Sequence, residues 1–189
     1  MALVIFVVGP AGSGKSTSSR VIARELRTAY VDKDTVATGF TEALLSLAGT
    51  DPHERDNNAY YQDHVMDLEY DTILKIAADN LALGMSVVLD APFGRYLRRD
   101  NFVRDAAQRL GWPADVRPVV VHVKVDGEVI RQRVEARGLE RDAWKLANWD
   151  EFWSAAGNVT CTWAGVEHVT LDNSGDSPDV AGQARQLGL

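Results

Sequence analysis

Apolar residues gather in five short runs, Leu3 to Val8, Ala29 to Val31, Ser86 to Leu89, Val119 to Val125 and His168 to Leu171. Between them, apolar positions recur every three to four residues, so the chain predicts strands alternating with helices. The first, third and fourth runs are nearly continuous Val, Ile and Leu. That pattern fits parallel strands covered by helices on both faces, and a three-layer α/β/α sandwich with a five-stranded parallel sheet is expected. The stretch 35–83 reads as a helical insert. It carries two interleaved stripes, Tyr61, Val65, Leu68 and Met66, Tyr70, Ile73, Ala77, and should form a flap over the sheet edge that stops at Gly84 after Leu83. No internal repeat or linker breaks the pattern, so residues 1–189 are read as one domain.

At 189 residues with 46% hydrophobic content, the chain can bury one core but not two. Its net charge of −7 opposes broad binding to nucleic acid, because a polyanion would be repelled. The single cysteine, Cys161, cannot form an internal disulfide and reads as a small buried hydrophobe, which suits a reducing compartment. The run Ala2 to Val8 is too short to span a bilayer and has no basic leader, so a soluble, cytoplasmic protein without a membrane role is expected.

Chemistry enters directly after the first run. Gly9-Pro10-Ala11-Gly12-Ser13-Gly14-Lys15-Ser16-Thr17 fits G-x-x-x-x-G-K-[ST], with a strand pattern before it and a helical pattern after it. Glycines let backbone N–H groups close around phosphate oxygens, and the helix start adds partial positive charge. Gly12, Ser13, Gly14, Lys15, Ser16 and Thr17 are therefore expected to bind ATP, with Lys15 on the β- and γ-phosphates and the Ser16 hydroxyl on Mg2+. No N-K-x-D motif for reading guanine occurs downstream.

The second run leads into Val31-Asp32-Lys33-Asp34-Thr35. If this segment continues extended, Asp32 and Asp34 face one space, Asp32 on the metal side and Asp34 beside an acceptor hydroxyl. A carboxylate that caps a following helix is the competing reading. The third run ends in Asp90, a second metal candidate by its place after an apolar strand, and the choice between Asp32 and Asp90 stays open.

With Gly9 to Thr17 followed by Asp32-Lys33-Asp34, the chain resembles the P-loop small-molecule kinases, such as shikimate, gluconate and chloramphenicol kinases. It is similar also to bacterial AAA-type ATP-binding proteins. The resemblance implies that Asp34 contacts or deprotonates the acceptor. It also implies a lid over 131–155, in which Arg133 lies beside adenine while Arg137 and Arg141 approach the phosphates as catalytic groups beside Lys15. The loop Leu171 to Pro178 would wrap the base. The expected function is transfer of the γ-phosphoryl of Mg-ATP to a hydroxyl of a small molecule, an antibiotic, sugar or nucleoside among them. A nucleotide-dependent ATPase or switch without such an acceptor is one alternative, and a polynucleotide 5′-hydroxyl kinase is another.

Arg95, Arg98 and Arg99 suit either an anionic substrate group or a solvated helix face. Trp149 and Trp153 share a helical face and are read as docking their helix, with Lys145 in reach of a phosphate. His122 and His168 fall in strand runs and read as structural.

Overall fold

The computed structural model describes residues 1–55, 57–138, 142–157, 160–175 and 179–186. Five strands, β1 (Leu3–Val8), β2 (Ala29–Asp32), β3 (Val87–Asp90), β4 (Arg117–Lys124) and β5 (Glu167–Asp172), form one sheet in the order β2-β3-β1-β4-β5. Every pairing is parallel. The five runs are therefore the five strands, each within a few residues of its expected limits.

The alternation of β1 divides the core. Val4, Phe6 and Val8 pack with Tyr70, Ile73, Ala77 and Leu81 of α3 (Met66–Ala82) and with Val103 and Ala106 of α4 (Phe102–Leu110). Ile5 and Val7 point the other way, toward Ile22 and Ala23 of α1 (Lys15–Leu26) and Val180 and Ala184 of α8 (Val180–Gln186). Two helical layers enclosing a continuous apolar sheet make the expected sandwich. Cys161 is buried in the first of these clusters, beside Trp163.

The region read as a flap is built differently. α2 (Lys33–Leu47) starts two residues earlier than expected, a π-helical turn covers Tyr61–Val65, and α3 follows it directly. α3 is no flap: its Ile73, Ala77 and Leu81 are sealed against the sheet face. Only α2 and the turn stand beyond the sheet, around a small cluster of Leu45, Tyr61 and Val65. Leu68, placed on an apolar stripe by the sequence, lies 59% exposed, because the π-helical turn shifts the helical phase between Val65 and Met66. The helix ends at Leu83, with Gly84 in the left-handed region.

The remaining helices are α5 (Gly127–Arg137), α6 (Ala143–Ala147) and α7 (Trp149–Ala156). They form a separate cluster in which Trp149 packs on Ile130 and Val134. Trp153 stacks parallel to Trp149, and its ring occupies the space that a Cβ on Gly127 or Gly157 would fill. Docking of the tryptophans is thus the correct reading, onto α5 rather than onto the main core. Among the described residues, no helix is long and apolar enough to cross a membrane.

Candidate active site

All five strands run the same way, so their carboxyl ends gather the loops that carry chemistry. β1 delivers the glycine loop, and α1 begins at Lys15 with Gly14 as its N-cap in the left-handed region at φ 81°. Gly12 is also left-handed at φ 84°, and a Cβ there would sit 2.7 Å from Val134 of α5. A Cβ on Gly14 would strike the Asn173 side chain. Asn173 is itself buried and donates from Nδ2 to the Ser13 carbonyl at 2.7 Å, tying the loop after β5 to the glycine loop. Ser13 Oγ is buried and, among the described residues, has no hydrogen-bond partner. A cradle closed to side chains, with an orphaned hydroxyl inside it and a helix start behind it, fits a phosphate chain.

Lys15 extends over this loop and donates to the Pro10 carbonyl at 3.0 Å. Burial pushes its pKa down to about 8, against the pull of Asp90 and Asp34 and with a push from Arg137 and Lys145. These five residues, drawn from five elements of the chain, therefore share one electrostatic neighbourhood.

Asp90 ends β3 in the register position beside Asp32 of β2. It is buried and accepts from Tyr30 Oη at 2.8 Å, and the Ser16 hydroxyl lies near enough to act on its charge. Burial, with the neighbouring Asp32 charge, raises its pKa although Ser16 and Tyr30 oppose the rise. If the Ser16 proton points at Asp90, the hydroxyl lone pairs are left for a cation. Among the described residues, no group of three or more His, Cys, Asp and Glu is placed to hold a metal. The donor set suits a magnesium ion, which takes few protein ligands and completes its shell with phosphate oxygens and water.

The segment Asp32-Lys33-Asp34 is not extended as the sequence suggested. Asp32 is the N-cap of α2: its Oδ1 accepts from the Asp34 backbone N–H at 3.0 Å and its Oδ2 from Thr35 Oγ1 at 2.9 Å. The competing cap reading is what the structure shows, because satisfying the first turn of a helix is the ordinary use of an aspartate before it. Asp34 lies in that first turn, half-exposed, with Oδ1 3.3 Å from Lys33 Nζ and 3.4 Å from Arg55.

Lys33 and Glu69 form a pair that sequence reasoning missed. Both are buried and meet at 2.7 Å. Glu69 also accepts from Thr41 Oγ1 at 2.5 Å and from Tyr61 Oη at 2.7 Å. Burial would raise the Glu69 pKa, but Lys33, Thr41 and Tyr61 outweigh it and hold the carboxyl below its ordinary value. The pair fixes α2 to α3 and so sets where Asp34 stands. The one local signal was a glutamate next to Tyr70 on an apolar stripe.

Arg137 closes α5 with Nε and Nη2 forked onto Asp142 at 2.6 and 2.7 Å, and Lys145 Nζ reaches the same carboxylate at 3.1 Å. Arg133 stands apart on the other side of the loop, 3.4 Å from the Gly175 carbonyl. It lines a cleft of about 420 Å³ with Gly14, Thr17, Val21, Asn173 and Val180. Arg141 and residues 176–178 of the last loop lie outside the described residues. Arg95 turns toward the π-helical turn, donating to the Gln62 carbonyl at 2.7 Å, and Arg99 lies over the Tyr96 ring, so the expected arginine cluster is dispersed. Next to Asp90, Phe93 is held at φ 53° inside an aromatic cluster with Phe6, Tyr70 and Trp163, its N–H bonded to Tyr70 Oη. His122 and His168 pair with each other at 3.0 Å on β4 and β5.

A parallel five-stranded sheet in this order, with the glycine cradle after its central strand, is the P-loop kinase fold. The model of the AAA_33 family, an AAA domain, matches residues 4–156, and the chain belongs to that family. A provisionally named kinase from Chloroflexus aurantiacus J-10-fl superposes with a TM-score of 0.69 at 19% identity, covering 99% of this chain and 97% of that one. A sugar kinase from Janibacter sp. HTCC2649 gives 0.62 at 15% identity (98% and 94%). Shikimate kinase from Bacteroides thetaiotaomicron gives 0.54 at 15% identity (98% and 96%). In sequence, the chain is 32% identical over 85 residues to cytidylate kinase of Clostridioides difficile (strain 630). That match spans 38% of this chain and 39% of the cytidylate kinase.

Proposed function

We propose that this protein is a phosphotransferase that moves the γ-phosphoryl group of Mg-ATP to a hydroxyl of a small molecule. The observation that carries the reading is the gathering of Lys15, Asp90 and Asp34 at one end of the sheet, around a cradle that admits no side chain. Phosphoryl transfer needs positioning and neutralised charge, and transfer to an alcohol needs in addition a carboxylate to orient the O–H and take its proton. The names of two structural neighbours, a sugar kinase and a shikimate kinase, agree with a small acceptor.

In this reading Gly12, Ser13, Gly14, Lys15, Ser16 and Thr17 hold the triphosphate. Arg133 and the cleft beside Asn173 take the base, and Arg137 faces the transferring phosphate. Magnesium would supply charge neutralisation between the β- and γ-phosphates, held by Ser16 with Asp90 behind it. Asp32, both of whose oxygens serve the start of α2, is a weaker metal candidate than Asp90. Asp34 is the acceptor-side base, held in place by Lys33. Soluble, cytoplasmic operation belongs to the same proposal.

The test is incubation with Mg-ATP and pooled sugars, nucleosides, antibiotics and hydroxy acids, followed by phosphorus NMR. New phosphomonoester signals are expected from the native protein, with a rate loss of about hundredfold or more in Asp34→Asn. Full-rate transfer by Asp34→Asn would remove the base assignment, and release of inorganic phosphate alone would favour an ATPase.

A further inference from the structure

Asp142 is a fully buried carboxylate, and a buried charge survives only where partners compensate it. Among the described residues its partners are two cations from different helices: the forked Arg137 at the end of α5 and Lys145 on α6. α5 packs on the glycine cradle, with Ile130 and Val134 against Gly12, and Arg137 comes one turn after Val134 on the same helix, so the cation pair is carried by the element that borders the cradle. The Lys15 ammonium feels both charges. The fork on Nε and Nη2 fixes the guanidinium plane, and α5 turns off immediately at Gly138 in the left-handed region. A surface arginine pairing with any nearby acid would need neither the burial nor the second cation.

We propose that Asp142 is a positioning residue that aims Arg137 and Lys145 together at the terminal phosphate of the bound nucleotide, making Lys145 a phosphate-binding residue. The proposal rests on the reading of the glycine cradle as a triphosphate site and is independent of what the acceptor is. Its opposite is that Asp142 serves only as counter-charge, lowering the positive potential of the site.

The two differ in sign. With MgATP and MgADP as probes, calorimetric titration gives the ratio of their dissociation constants, which isolates the grip on the γ-phosphate. Asp142→Asn keeps the volume and removes the charge. Positioning predicts that the preference for MgATP over MgADP falls by about tenfold or more, the scale of one charge-assisted hydrogen bond. Counter-charge alone predicts tighter binding of both nucleotides with the preference kept or increased, and that result overturns the proposal. In the nucleotide-free protein, the Arg137 Nε–H should be a slowly exchanging NMR signal that is lost in Asp142→Asn. Should Asp142→Asn fail to fold, Lys145→Gln carries the same test: an unchanged preference for MgATP overturns the role of Lys145. Native protein that binds neither nucleotide would overturn the site itself and this inference with it. Native protein that binds both but transfers to no alcohol would overturn only the proposed function.

Discussion

Burial of the Lys15 ammonium pushes its pKa down to about 8, whereas in an unfolded chain it titrates near 10.5. Two consequences follow at this one residue. In the free protein Lys15 loses its proton as pH rises through about 8, and a bound triphosphate restores it. Affinity for MgATP should therefore be level below that pH and fall above it, with proton uptake on binding, measurable by calorimetry in buffers of different ionisation enthalpy. An affinity that stays flat up to about pH 9 contradicts the assignment. For stability the sign is reversed. Between about pH 8 and 10.5 the unfolded chain holds more protons than the fold, so the cost of burying the charge is present in full below pH 8 and fades as pH rises. Lys15→Met should accordingly raise the thermal midpoint of the nucleotide-free protein at neutral pH while abolishing nucleotide binding, a trade of function for stability.

At the scale of elements, the junction of α2 with α3 depends on the Lys33–Glu69 pair. Removing one partner leaves a buried charge, so Lys33→Met and Glu69→Gln are each expected to cost about 3–5 kcal/mol in urea unfolding. Replacing both together with Met and Leu should cost clearly less than the sum, because no charge is then stranded. Additive losses would show that the pair is not coupled. The same elements show what a sequence reveals and what it hides. Strands were legible because a parallel strand buried on both faces must be apolar throughout, as β1 and β3 are. The glycine loop was legible because few residue types permit left-handed backbone at Gly12 and Gly14. The start of α2 was misread: Asp-Lys-Asp fits an extended alternation as well as a cap with an acidic first turn, and only the bonds to the Asp34 N–H and Thr35 decide between them. Glu69 and Asp142 were missed for a different reason. Glu69 gains its partner Lys33 thirty-six positions away, through tertiary packing that no local pattern encodes. Asp142 is close in sequence to Arg137 and Lys145, but its full burial follows from how α5 and α6 fold together.

Across the whole molecule, a net charge of −7 coexists with a local concentration of Lys15, Arg137 and Lys145 at one end of the sheet. The excess acid elsewhere disfavours long polyanions, while the local cations suit a compact one such as a nucleotide triphosphate. The fold supplies the rest: at the carboxyl ends of the parallel strands the loop after β1 packs against α5, and the loop after β5 is tied to that glycine loop through Asn173. The measurement that bears most directly on this account is a crystal structure with Mg2+ and a non-hydrolysable ATP analogue. The account predicts the triphosphate in the cradle of Gly12 to Thr17, its terminal phosphorus among Lys15, Arg137 and Lys145, with the Asp34 carboxylate across an open space from it. Nucleotide bound elsewhere, or an Asp34 walled off from the terminal phosphate, would contradict it.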